Sequence, residues 1–158
     1  MVGLIEAGVK MLIDRLTQSD YFIQHFQGCY QLYGLGCEES VKARGVTLDR
    51  ELKHLMLRSK SGNFLVHIPA SQMLCYKKVK AILNDSTIEM GQISDLGVSK
   101  GEVTPFVEPF WSMGHLIDKM VLDRDWMTTN DGTRTGYIKF NPKVLLETSK
   151  NIITEIRA

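Results

Sequence analysis

Residues 52–58 and 64–68 constrain this chain most. Both runs are rich in apolar and β-branched residues, and Ser59-Lys60-Ser61-Gly62-Asn63 between them has the chemistry of a turn. The pattern predicts a β-hairpin. In its first strand a period of two places Lys53, Leu55 and Leu57 on one face and His54, Met56 and Arg58 on the other. Lys53 thus shares the side of the leucines, at the end of the strand. A lysine there either snorkels to the rim or is aimed at a pocket, and both readings stay open.

The other elements fall around this hairpin. Ile5, Val9, Leu12, Ile13 and Leu16 recur at helical spacing and predict a helix over residues 4–17. Residues 21–33 read as a strand or two, with His25 packed and hydrogen-bonded rather than catalytic. Residues 37–44 form a short helix, acidic at its start and basic at its end as the helix dipole prefers, and Gly45 stops it. Pro69 ends the second hairpin strand, and Ser71 caps a helix reaching Leu83. Short strands are expected over residues 87–90, 116–122, 126–130 and 134–140, with a helical turn at 92–96 and a hairpin turn at Asn130-Asp131-Gly132. Asn141-Pro142 starts a last helix that buries Leu145, Ile152, Ile153 and Ile156. The order predicts one mixed α/β domain over residues 1–158, with a curved, largely antiparallel sheet rather than a doubly wound parallel one.

Composition excludes several classes of function. With 44% hydrophobic and 23% charged residues the chain is that of an ordinary globular protein. No apolar run has the length of a membrane span, and residues 1–17 carry charge throughout, unlike a signal peptide. Cys29, Cys37 and Cys75 are odd in number, lack metal-ligand spacing and suit a reducing cytoplasm. CxxC pairs, HExxH helices, P-loops and dinucleotide-binding glycine patterns are absent from the sequence. Residues 42–80 hold nine basic and two acidic residues (9 − 2 = +7), and residues 81–131 hold three basic and nine acidic (3 − 9 = −6). Such a basic stretch is the footprint of a phosphate-binding surface, unless its charges mix with acidic ones in three dimensions.

Residues 97–111 carry two glycines, two prolines and three aromatics. Gly101 lets a ligand approach the main chain, and Pro105 fixes the loop's shape. By composition alone this is a surface loop.

Five segments, in order, give that loop a context. They are Gly36-Cys37-Glu38-Glu39-Ser40-Val41-Lys42-Ala43-Arg44-Gly45-Val46, Glu51-Leu52-Lys53-His54-Leu55-Met56-Leu57-Arg58, Gly97-Val98-Ser99-Lys100-Gly101-Glu102-Val103-Thr104-Pro105-Phe106, Val121-Leu122-Asp123-Arg124-Asp125, and the stretch from Gly132-Thr133-Arg134-Thr135-Gly136 to Leu145-Leu146. Together they resemble the YbaK type of aminoacyl-tRNA deacylase, related to the editing domain inserted in bacterial prolyl-tRNA synthetases. The resemblance implies a mixed α/β, barrel-like sheet with flanking helices. It implies hydrolysis of the ester of a mischarged tRNA with no metal, no other cofactor and no covalent nucleophile.

By the same resemblance, Lys53 holds a phosphate or the ester region of the terminal adenosine, and Gly101, Thr104 and Pro105 form the loop that meets the ester. Leu35, His54, Val103, Phe106, Asp123, Thr128 and Gly132 fall at substrate-pocket positions. Arg50, Lys77, Lys78 and Lys80 would face the acceptor end of the tRNA. A synthetase is a further partner the resemblance leaves open, and no membrane is implied. The chain departs from the family where Val107 follows Phe106 in place of glycine, and where His54 stands for threonine or asparagine. Thr128 replaces a histidine of some relatives, Tyr137 an aspartate of others, and Leu35 an aromatic. A binding module of the same fold, without hydrolysis, is the alternative reading.

Overall fold

The structure, a computed structural model, describes residues 14, 20–27, 37–98, 102–133 and 135–158. The helix expected over residues 4–17 lies, Asp14 apart, outside them. The hairpin is present and longer than its apolar runs. β2 (Leu52–Ser59) and β3 (Gly62–Pro69) pair antiparallel from Leu52↔Pro69 to Ser59↔Gly62. Only Lys60 and Ser61 lie between them, and Gly62 takes φ +119° to close the turn.

A five-stranded sheet grows outward from this hairpin. β4 (Glu89–Met90) adds antiparallel to β2, β5 (Gly114–Asp118) adds parallel to β3, and β8 (Asn151–Thr154) adds parallel to β5. The order is β4-β2-β3-β5-β8. A second sheet orders β1 (Phe22–Phe26), β7 (Tyr137–Phe140) and β6 (Met127–Asn130), all antiparallel. The fold is therefore mixed α/β and largely antiparallel, as expected. The strands form two sheets, not one closed barrel. A parallel bridge between Glu51 and Thr128 joins their corners.

Helices α1 (Cys37–Arg44), α2 (Tyr76–Leu83) and α3 (Lys119–Leu122) flank the sheets. Gly45 and Asn84, both left-handed, end α1 and α2. Several expectations are corrected here. α2 starts after Cys75 rather than at Ser71, because Leu74 bridges to Arg157 and Cys75 N–H donates to the Ile156 carbonyl, 2.8 Å. The strand expected over 116–122 stops at Asp118, whose carboxylate accepts the Met120 N–H at 2.9 Å and starts α3. The last helix is a 3-10 turn over Pro142–Glu147. Beyond it Ile152 and Ile153 extend into β8, where their backbones pair with β5, and at this edge of the sheet they stay 40% and 45% exposed. Leu145 and Ile156 are buried as expected. The Asn130-Asp131-Gly132 turn opens into a longer connection, because Asn130 pairs with Tyr137.

Two cores occupy opposite faces of the five-stranded sheet. Leu57, Val66, Ile68 and Leu116 pack with Val79 of α2 and with Ile156. On the other face Leu52 and Ile117 meet Met127, Ile138 and Phe140 of the small sheet, with Val121, Val144 and Leu145. Loop residues Phe106, Val103 and Phe110 seal that second face.

Candidate functional site

The loop lies against the face of β2 that carries the even-numbered residues. Val103, Thr104, Pro105 and Phe106 are all buried. Val103 packs with Met56, Leu65 and Phe110. Phe106 packs with Leu52 and meets Phe140 edge-on at 5.1 Å. Val107, where the family's glycine is missing, packs on the same apolar residues. Gly101 and Leu35 lie outside the described residues.

Two features make this loop more than a cover. Thr104 Oγ1 is buried and has no hydrogen-bond partner, the one such side-chain oxygen among the described residues. Buried hydroxyls are normally satisfied, so an orphan here points to a group that arrives from outside. Gly132, at φ +92°, backs the same threonine: a β-carbon there would sit 3.5 Å from Thr104 Cγ2.

A buried polar network fixes the loop's other side. Arg44, at 7% exposure, forms an ion pair with Glu51, at 3%. Arg44 also donates to Asn130 Oδ1 at 2.6 Å and lies over the Tyr137 ring, 5.2 Å from its centroid. Asn130 Nδ2 donates to the Val103 carbonyl at 3.4 Å. Thr128 is committed to this network, donating to Glu51 Oε2 at 2.5 Å. Burial raises the Glu51 pKa, opposed by the Arg44 charge and the Thr128 and Arg44 hydrogen bonds.

Lys53 is not brought to the described residues of the loop. Its side chain follows Leu55 and Leu57 to the α2 face, and its Nζ donates to the Gln72 carbonyl at 3.0 Å. Asp123 ends α3 rather than a strand, and is exposed. The basic stretch is partly neutralised within the fold. Arg44 is buried in its pair, Arg50 binds Asp125 at 2.7 Å and stacks on Trp126, and Arg58 pairs with Glu89. Lys78 Nζ donates to the Arg157 carbonyl at 2.7 Å, while Lys42 and Lys77 are exposed. Lys80, in the last turn of α2, is half-buried.

His54 does face the loop side, in an arrangement the sequence reading missed. Its Nε2 lies 2.5 Å from Thr129 Oγ1 and its Nδ1 2.9 Å from His67 Nδ1. His67 Nε2 lies 2.8 Å from His115 Nδ1, and His115 Nε2 lies 3.0 Å from the Trp111 carbonyl oxygen. Three of the chain's four histidines thus form one hydrogen-bonded row across β2, β3 and β5. Burial holds all three below the ordinary histidine pKa, and His54 is lowered to about 3. The His54–His67 link was legible, since the hairpin register opposes them. His115 joins only through parallel pairing with β3, for which the sequence carries no local signal. The fourth, His25, lies 2.9 Å from Asp131 Oδ2, a packed histidine as expected.

Among the described residues, no group of three or more His, Cys, Asp or Glu is placed to hold a metal ion. None of the described helices is long and apolar enough to cross a membrane.

Comparison with known proteins places this geometry in a family. The model of the aminoacyl-tRNA editing domain matches residues 34–148. No curated protein matches the sequence. Among solved structures the chain is similar to one described as a trans-editing enzyme for prolyl-tRNA synthetase, at 14% identity and TM-score 0.74, over 96% of this chain and 97% of the other. It is similar to a hypothetical protein at 17% identity and TM-score 0.77, over 96% and 99%. It also resembles a signal transduction protein from Marinobacter aquaeolei VT8 at 11% identity and TM-score 0.62, over 94% of this chain and 30% of that one. At these identities the structures testify to the fold, and the family match covers most of the chain: it belongs to the aminoacyl-tRNA editing domain family.

Proposed function

We propose that the chain hydrolyses the ester of mischarged aminoacyl-tRNA in trans, with the acceptor end of the tRNA as substrate and a prolyl-type synthetase as the source of the error. The orphan hydroxyl of Thr104 carries this reading, because it sits on the loop that the family uses and lacks a partner from the protein. The ester carbonyl enters beside residues 101–105. Thr104 Oγ1–H and backbone N–H groups of the loop donate to the oxygen that gains charge. Water adds to the carbonyl carbon, the bond to the ribose oxygen breaks, and the proton passes to that oxygen. The products are a free amino acid and an uncharged tRNA. The ester is already activated, so positioning does most of the work.

Thr104→Val tests the assignment, because valine keeps the shape and removes only the hydroxyl. Thermal stability should hold or rise by about 1 kcal/mol, as an unpaired buried hydroxyl is lost. Deacylation should fall about 100-fold in kcat. The assay uses alanine, cysteine, serine and threonine charged on proline, cysteine and threonine tRNAs. Full activity in Thr104→Val would remove Thr104 from the mechanism. Binding of tRNA without hydrolysis of any substrate would favour the binding-module reading.

Lys53 is assigned to the tRNA backbone rather than to the ester, since its ammonium lies on the α2 side of the hairpin. Lys53→Ala should raise KM about tenfold and change kcat less, the signature of lost uniform binding. A loss confined to kcat would return Lys53 to the ester.

A further inference from the structure

The direction of the histidine row follows from its ends. The Trp111 carbonyl can only accept, so His115 Nε2–H donates to it. His115 Nδ1 then accepts from His67 Nε2–H, and His67 Nδ1 accepts from His54 Nδ1–H. His54 Nε2 accepts from Thr129 Oγ1–H. Every ring nitrogen is used and every ring is neutral. His67, His115 and Thr129 are fully buried. One added proton can be taken up only by turning the Thr129 hydroxyl towards the Leu52 carbonyl, 3.4 Å away, with the charge left inside the fold. A second proton sets two N–H groups face to face.

We propose that His54, His67 and His115 are positioning residues of the editing reaction: their row clamps residues 106–113 onto β2, β3 and β5, and so holds Thr104 and Phe106 in working geometry only while the row is neutral. The inference rests on the deacylase reading. The row joins the small sheet, through Thr129, to the carbonyl of Trp111, five residues beyond Phe106. The charged groups facing it are Arg44 with its partner Glu51, beside His54, and Glu108 on the loop, beside His115. Arg44 opposes a proton on His54, and Glu108 favours one on His115. Burial is the largest influence on all three rings and favours the neutral form. The sign is therefore fixed. Clamping is complete above the ordinary histidine pKa near 6.5 and weakens as pH falls below it.

Trp111 reports on the clamp directly once Trp126, the other tryptophan, is replaced by phenylalanine. Between pH 6.5 and about 3 its emission should move to longer wavelength, and it should do so before the far-ultraviolet circular dichroism is lost. Deacylation should fall at least about tenfold over the same interval. His115→Gln keeps a donor for the Trp111 carbonyl and does not titrate, so it should flatten both profiles. His115→Leu removes the donor and should lower kcat about tenfold at pH 7.5, with a lesser effect on KM. Emission and activity that stay flat from pH 8 to about 3 in the parent protein would overturn the clamp, as would His115→Leu with unchanged kcat. If emission shifts as expected but no mischarged tRNA is hydrolysed at any pH, the clamp on the loop stands and the deacylase reading fails.

Discussion

Glu51→Ala is expected to destabilise the fold by about 3–5 kcal/mol, lowering the melting temperature by roughly 10 °C. The cause is the charge left behind. Arg44 is buried against the Glu51 carboxylate, and it also meets the neutral Asn130 amide and the Tyr137 ring. Removing Glu51 takes a carboxylate from a buried guanidinium, and it takes the acceptor from the Thr128 hydroxyl as well. Arg44→Ala should cost a similar amount by stranding the carboxylate. The pair Arg44→Met with Glu51→Leu should cost much less than the sum of the single changes, because both buried charges are then removed together. The measurement is denaturant unfolding of the four proteins. A loss below about 1 kcal/mol for Glu51→Ala, the range of exposed ion pairs, would show that water reaches the pair in solution. Because Asn130 links Arg44 to the Val103 carbonyl, the single variants should also lose deacylation beyond their loss of folded protein.

Phe106→Ala should be comparably damaging, at about 3–5 kcal/mol. The sequence places Phe106 among the pocket residues, but its ring is wholly buried between the two sheets, against Leu52, Ile117 and Phe140. Its work is to anchor the loop. Alanine would leave a cavity in that core and unpin Thr104 two residues away. Phe106→Leu, which keeps most of the volume, should cost under about 2 kcal/mol and retain most of kcat. Equal stability in Phe106→Ala and the parent, by chemical denaturation, would show that the loop is not held by this ring. Equal deacylation despite the lost stability would separate the anchor from the chemistry.

The hairpin was legible because both of its signals are local. Alternation over residues 52–58 and turn residues beside Gly62 act within a few positions of each other. The end of α1 at Gly45 was legible for the same reason. The C-terminal error has an equally plain origin. Leu145, Ile152, Ile153 and Ile156 can be fitted to a helical stripe, yet Ile152 and Ile153 side by side suit a strand once a parallel partner exists. That partner, β5, lies more than thirty residues upstream. Lys53 shows the limit within a correct prediction. Its side of the strand was read properly, but which side the loop would cover is decided by the packing of Val103 and Phe110 on Met56.

What the sequence determined alone is the mixed α/β class, the hairpin, the loop marked by its glycines and prolines, and membership of the aminoacyl-tRNA editing domain family. Each depends on residues close in the chain or on ordered motifs. Tertiary structure alone decided that Arg44 and Glu51 are spent in the interior, that Thr104 keeps an unanswered hydroxyl, and that three histidines from three strands meet in one row. The reason is physical. Burial and hydrogen-bond satisfaction belong to the assembled interior, where residues far apart in sequence exclude water from one another, and no local pattern records which partners they will find.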